Sequence, residues 1–219
     1  MSLIAKDSGN VQIEKLEAGA YTAVSSMLID LGMQKNEKFG KTQRKFRLFW
    51  NILGETVTIG DEELPRTISK EYSLSLGEKS NLRKDLQAWR ARPFSEEELK
   101  GFKLINILNK GCQLQIIINE KNGKTYNDIA GIMSLPKGTA VDPLEETVVF
   151  DLEEQDTWVN WGKIPAWVQE QIKKAENYVE SGLNKYVEEY EEMIAEQEGK
   201  KAEESSNVDL PEADDDLPF

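Results

Sequence analysis

Residues 44–53 read RKFRLFWNIL, and this stretch decides how the chain is interpreted. From Phe46 to Ile52 every second residue is apolar, which predicts a β-strand with one buried face. The predicted buried face consists of Phe46, Leu48, Trp50 and Ile52. The two aromatic residues of this face are assigned to the core, because large aromatics on the apolar side of a strand are usually packed. The opposite face would turn Lys45, Arg47 and Phe49 toward solvent.

Counting this strand, the chain contains three strand-like segments, then one helix, and then two further strands. The strand-like segments cover residues 19–32, 44–53, 66–76, 112–119 and 119–133, and the helix covers 80–91. Asn122 and Gly123 predict a hairpin turn, and Gly131 a β-bulge. Ser80 would cap the helix and Pro93 would end it. This order predicts a mainly β fold with accessory helices: a five-stranded oligonucleotide-binding (OB) barrel with a helix between strands 3 and 4. A generic α+β sheet is the alternative.

Composition divides the chain into three parts. Residues 1–140 would form the OB core, 141–200 a strand and C-terminal helical extension, and 201–219 a disordered acidic tail. The extension would pack on the core or mediate a homodimer. Four of its apolar residues would form either a ligand cage or part of the core: Trp158, Trp161, Trp167 and Ile172. Packing is favoured, because tryptophans near an amphipathic helix usually bury themselves.

The absence of certain residue types excludes several kinds of chemistry. The chain has no histidine and one cysteine, Cys112, so a histidine-based triad and most zinc sites are excluded. Asp85, Glu98 and Lys100 give a weak nuclease-like pattern, but Glu98 is better explained as the capping-box partner of Ser95. We therefore expect no enzymatic activity and no cofactor or metal. With a single cysteine, no signal-like start and no long apolar run, we also expect an intracellular protein that does not span a membrane.

The charge of the chain is unevenly distributed. Residues 1–140 hold 21 Lys and Arg against 17 Asp and Glu, whereas residues 141–219 hold 6 against 23. The most basic stretch, residues 35–50, interleaves its cations with aromatic residues. Single-stranded nucleic acid needs both, because cations neutralise phosphates and ring faces stack on unpaired bases. The candidate contacts are Lys35, Lys38, Phe39, Lys41, Arg44, Lys45, Arg47 and Phe49, with Arg66, Lys121 and Lys124 in loops at the edges.

The acidic tail ends on apolar residues, and this feature suits capture by another protein. A bulky side chain next to aspartates can enter an apolar pocket while the carboxylates meet basic residues at its rim. The residues concerned are Asp214, Asp215, Asp216, Leu217, Pro218 and Phe219. They resemble the C-terminal tip of bacterial single-stranded DNA-binding proteins, with Leu217 where that family often has isoleucine. The resemblance implies that Phe219 and Pro218 anchor replication, recombination and repair enzymes.

The body of the chain resembles phage-encoded single-stranded DNA-binding proteins. The similar stretches are YTAVSSMLIDLG at 21–32, KSNLRKDLQAWRARPF at 79–94 and NGKTYNDIAGIMSLPKG at 122–138. The resemblance implies an OB barrel with an acidic tail that coats single-stranded DNA without sequence specificity, in the cytoplasm of a bacterial host cell, sometimes as a dimer. We further expect the tail to compete with DNA for the basic groove. The alternative is an acidic interaction protein or DNA mimic that inhibits a host nucleic-acid enzyme, which the net charge of -13 would suit.

Overall fold

The structure, a computed structural model, describes residues 14–36, 40–60 and 62–206. Its strands are β1 (Gly19–Asn36), β2 (Lys41–Ile59), β3 (Glu62–Ser73), β4 (Gly111–Lys121), β5 (Lys124–Met133) and β6 (Val148–Phe150). Its α-helices are α1 (Asn81–Arg90), α2 (Glu96–Lys100), α3 (Ala166–Lys173) and α4 (Leu183–Ser206), and 3-10 segments cover Leu104–Ile107 and Gln155–Lys163. The predicted order of three strands, a helix and two strands is confirmed.

The sheet is a strongly curled half-barrel of five strands with helices added, and this shape is compatible with an OB-like fold. Its strand order is β3-β2-β1-β4-β5, and the short β6 pairs in parallel with β1. β1 pairs in antiparallel fashion with both β2 and β4. The two ends of the sheet, β3 and β5, approach each other, and Lys70 Nζ donates to the Ile129 carbonyl at 3.2 Å across the seam.

Two local predictions about the turn and the bulge are confirmed. Asn122 and Gly123 have φ values of 53° and 70°, so both adopt the left-handed conformation that a tight hairpin requires. The register of β4 and β5 shifts between Gln115 and Ile116, opposite the residue before Gly131. This irregularity bends β5 and helps the sheet to curl.

Helix α1 closes the seam between the ends of the sheet. Ser80 Oγ accepts a hydrogen bond from the Arg83 amide, as an N-cap does. Leu82, Leu86 and Trp89 are buried at helical spacing. The helix ends before the predicted breaker Pro93, because Ala91 is already left-handed, with a φ of 51°.

The hydrophobic core consists of two clusters on opposite faces of β1 and β2. The first fills the inside of the curled sheet and includes the predicted face of β2: Phe46, Leu48, Trp50 and Ile52. The second lies on the outer face and joins the sheet to the extension: Ile29, Leu31, Phe49, Phe150, Leu152, Trp158, Trp161, Val168, Ile172, Leu183 and Val187 are among its members. The extension thus covers part of the outer surface of the sheet, and the predicted burial of Trp158, Trp161 and Ile172 is confirmed.

Helix α4 continues to Ser206, whereas the sequence predicts disorder from residue 201. Good helix formers such as glutamate and lysine fill this helix, which explains why it extends into the acidic stretch. Residues 207–219, with the predicted partner-binding set 214–219, lie outside the described residues.

Candidate nucleic-acid interface

Two cations and one carboxylate meet on the outer face of β2 and β3. Arg47 lies directly opposite Glu71 in the register of these strands. The Arg47 Nη2 atom lies 2.8 Å from Glu71 Oε2, and the Lys45 Nζ atom lies 2.7 Å from Glu71 Oε1. Alternation along β2 places both cations on the face opposite to Phe46 and Leu48, as the sequence predicts. They carry two positive charges against one negative charge, so a net positive charge remains at this point.

The charge state of the cluster follows from its surroundings. Burial raises the pKa of Glu71, but hydrogen bonds from Lys45 and Gln171 and the attraction of Lys45 and Arg47 outweigh it. The pKa of Glu71 therefore lies below its ordinary value. Burial lowers the pKa of Arg47 below its ordinary value, while Glu71 acts in the opposite direction. Both groups are charged at neutral pH, so the cluster is ionic.

Helix α3 borders this cluster and adds two side chains to it. Val168 and Ile172 are fully buried, so the helix is fixed in rotation by this pair of apolar residues. Trp167 and Gln171, one position before each of them, lie toward β2 and β3. Gln171 Nε2 donates to Glu71 Oε2 at 2.7 Å. The Trp167 ring lies 4.7 Å from the Arg47 guanidinium carbon and is 54 % exposed.

An open groove of about 760 Å³ leads from the cluster toward the start of α1. Lys45 and Glu71 line one end, while Glu78, Lys79 and Ser80 line the other. Ser73 and Ser75 add hydroxyl groups in between, at the end of β3. Each end of the groove thus carries one lysine and one glutamate, and hydroxyl groups lie between them, so the lysines and hydroxyls are the groups that could contact phosphates.

Phe49 does not reach solvent, and its predicted role as a stacking residue is wrong. Its side chain is only 3 % exposed, because the extension packs onto the outer face of β2 at this point. Its ring lies beside Trp167, with ring centroids 6.3 Å apart. Phe49 therefore supports the Trp167 ring from within the second core cluster.

Arg44 is also placed differently from its prediction as a nucleic-acid contact. Its guanidinium contacts three carboxylates at 2.8 to 2.9 Å: those of Asp30, Asp151 and Glu153. Burial lowers the pKa of Arg44, yet the hydrogen bond and attraction from Asp30 outweigh it, so its pKa is raised above the ordinary value. Arg44 ties β1 to the extension, and its charge is fully compensated there.

The remaining predicted cations are dispersed over the molecule. Lys35 and Lys41 are exposed where β1 and β2 meet, and Lys121 and Lys124 face each other across the hairpin at the opposite end of β1. Arg66 is half-buried and lines a separate cavity of about 530 Å³. Lys38 and Phe39 lie outside the described residues.

The nuclease-like carboxylates serve structural purposes in this fold. Asp85 Oδ2 accepts hydrogen bonds from Lys70 Nζ and the Tyr72 hydroxyl, both at 2.8 Å, at the seam of the sheet. Glu98 forms the predicted capping box with Ser95. A hydrogen bond from the Ser95 backbone, helped by Arg92 and Arg90, lowers the pKa of Glu98 to about 2. Within 14–36, 40–60 and 62–206, no group of three or more acidic or cysteine side chains is placed to hold a metal ion.

The residue that sequence reasoning missed at this surface is Trp167. The signal was present, because Val168 and Ile172 are four residues apart and account for the buried stripe of α3 without the tryptophan. Its exposure corrects the prediction that Trp167 packs in the core. The pairing of Glu71 with both cations follows from the cross-strand register of β2 and β3, which brings distant parts of the sequence together.

None of the helices in the described part of the chain combines the length and apolar character needed to cross a membrane. Comparison of the chain with models of known protein families and with curated proteins gives no match.

Proposed function

We propose that this protein binds single-stranded DNA without sequence specificity, in replication, recombination and repair, as an OB-fold protein. The strand connectivity supports this fold, since β1 pairs with both β2 and β4 and a helix separates β3 from β4. OB folds bind oligonucleotides on the face of strands 2 and 3, between the loop joining strands 1 and 2 and the loop joining strands 4 and 5. In this chain those loops are bordered by Lys35 and Lys41 and by Lys121 and Lys124.

The groove beside Lys45 and Arg47 is the observation that carries the proposal. It lies on the face of β2 and β3, and it joins Lys45, the neighbour of Arg47, to Lys79. Cations in a polar groove bind the phosphate backbone irrespective of base sequence. The distribution of charge agrees with this assignment, because the acidic residues are concentrated after residue 140 and the basic ones before it.

The acidic segment 214–219 would recruit partner enzymes, as its resemblance to the bacterial tip implies. Its aspartates would also compete with DNA for the groove, because a tethered anion has a high effective concentration. A chain without 207–219 should fail to capture such an enzyme and should bind single-stranded DNA more tightly at low salt. Unchanged capture would contradict the first role, and unchanged or weaker DNA binding the second.

The direct test is fluorescence anisotropy with the full chain and a labelled single strand of about 20 nucleotides, longer than the roughly 4–16 that one OB fold covers. Lys45→Gln should weaken binding and reduce the slope of log affinity against log salt by about 0.7. Lys137→Gln, in an exposed loop after β5, is the matched control and should bind like the wild type. Equal binding by both variants would exclude this groove. Failure of the wild type to bind any nucleic acid would leave the acidic interaction protein as the better explanation.

A further inference from the structure

We infer that Trp167 stacks on one unpaired base and thereby makes the site selective for single strands, an inference that rests on the proposed function. The stacking surface is not part of the barrel itself. It belongs to α3 in the extension, which reaches β2 and β3 by packing on their outer face.

The position of the indole is fixed on its inner side. The Arg47 guanidinium carbon lies 4.7 Å from its ring centroid, within the range of a cation–π contact. The Phe49 ring lies next to it at 6.3 Å and is itself buried. These two contacts hold the ring in place, while 54 % of the residue remains exposed.

The exposure of Trp167 has no explanation in the packing of α3. Val168 and Ile172 are fully buried and hold the helix against the sheet without it. Tryptophan is highly buried on average, so a half-exposed ring that is held in place indicates a binding surface. Trp158 and Trp161 of the same extension are 5 % and 1 % exposed.

The neighbours of the ring supply what a nucleotide needs around a stacked base. Lys45 lines the adjoining groove and shares Glu71 with Arg47, so a phosphate can bind beside a base on Trp167. Every base has a π-face, so stacking is tolerant of sequence. In a duplex these faces are covered by neighbouring base pairs. An exposed ring therefore favours single strands, whereas the cations alone attract any nucleic acid.

Three variants of the full chain test this inference with labelled oligothymidine, a duplex, and an abasic strand of equal length. Trp167→Ala should weaken oligothymidine binding about 5- to 150-fold, which corresponds to about 1–3 kcal/mol per stacked base. Trp167→Phe keeps an aromatic face and should retain most of the affinity. Val159→Ala, at a side chain 71 % exposed in the same extension, is the matched control and should have no effect.

The abasic strand separates stacking from phosphate binding. It keeps the phosphates but has no bases, so wild type and Trp167→Ala should bind it equally weakly. Duplex affinity should also be the same for both. Equilibrium urea unfolding establishes that each variant is folded at the assay temperature.

An affinity of Trp167→Ala for oligothymidine equal to that of the wild type would overturn the inference while leaving the proposed function intact. If the sedimentation of that variant also changed, the ring would be a contact between copies of this chain. If the wild type binds none of the three probes, the proposed function fails and the inference with it.

Discussion

Replacing Glu71 by glutamine should tighten binding of single-stranded DNA while it destabilises the fold. Glu71 accepts hydrogen bonds from Lys45, Arg47 and Gln171 at 2.7 to 2.8 Å, so its negative charge lies next to both cations that a phosphate would contact. Glutamine has nearly the same shape and keeps one carbonyl oxygen as an acceptor. The substitution therefore removes a negative charge with little change in packing.

The expected gain follows from the charges at this point. A phosphate bound to Lys45 and Arg47 would lie about 4–5 Å from the Glu71 carboxylate, where two like charges repel by about 1 kcal/mol in water and about 4 kcal/mol at an effective dielectric constant near 20. The Glu71 side chain is 26 % exposed, so solvent screens part of this repulsion. We expect about 1–2 kcal/mol, or about 5- to 30-fold tighter binding.

Stability should change in the opposite direction. The side chains of Lys45 and Arg47 are only 21 % and 15 % exposed, so both lose an ionic partner in a partly desolvated place. Hydrogen bonds to charged groups contribute about 1.5–3 kcal/mol each, and the retained amide oxygen recovers part of this. The free energy of unfolding in urea should therefore fall by about 1–2 kcal/mol.

Anisotropy titrations at about 0.01 M salt give the test, because screening is then weak. Glu63→Gln is the matched control, because it lies on the same strand and changes the net charge by the same amount. The Glu63 carboxylate accepts a hydrogen bond from the Thr56 hydroxyl and does not contact these cations. It should change affinity only slightly. Equal gains in both variants would show a general charge effect, and an unchanged or weaker affinity of Glu71→Gln would refute the placement of phosphates at Lys45 and Arg47.

The remaining predictions concern the fold that supports this site. Gly32→Ala should destabilise the protein by several kcal/mol in urea, because its φ is +69° and a Cβ would lie 2.6 to 2.9 Å from three side-chain atoms of the extension. Gly54→Ala, at a φ of +81° with nothing within 4 Å, should cost only about 1–2 kcal/mol of backbone strain; a similar loss for both would contradict tight packing of the extension at β1. Asp85→Asn should cost about 1–3 kcal/mol by leaving the Lys70 ammonium without its anion, and an unchanged urea midpoint would argue against an ionic seam. The pKa of Glu98 is lowered to about 2 from 4.5. Its contribution to the free energy of unfolding is therefore complete above about pH 4.5 and is lost as the pH falls toward 2. The difference in melting temperature between wild type and Glu98→Gln should disappear over that range; a pH-independent difference would contradict this linkage.

The elements of the sheet were predictable because each has a local signal. Alternation identified the inner face of β2, and Asn122 with Gly123 identified the hairpin, since both signals depend only on near neighbours in sequence. The sequence also correctly predicted that Lys45 and Arg47 lie on the outer face of β2. For these features, local propensity and the final fold agree.

Packing of the extension on the core was one of two predicted alternatives, but the face that it covers was not predicted, because it depends on contacts across more than a hundred residues. Phe49 contacts Trp167, and Arg44 forms an ion pair with Asp151. Contacts between residues so far apart in sequence produce no periodic pattern that could predict them. One hint existed in three consecutive apolar residues, Leu48 to Trp50, since a strand buried on both faces has continuous rather than alternating apolar residues.

Burial of Phe49 and exposure of Trp167 are two consequences of one packing arrangement. The extension buries Phe49, and in doing so it places a second aromatic ring above the same point of β2. The aromatic surface expected on the barrel thus lies one layer further out, on α3. Because the extension covers the outer face of β1, a strand that stacks on Trp167 and binds Lys45 has its open path toward Ser73 and Lys79, along the edge of β3. Crosslinking of a bound single strand should therefore label the segment before α1 and leave the covered part of β1, around Ile29 and Leu31, unlabelled. Labelling of that part would show that the extension moves away when DNA binds.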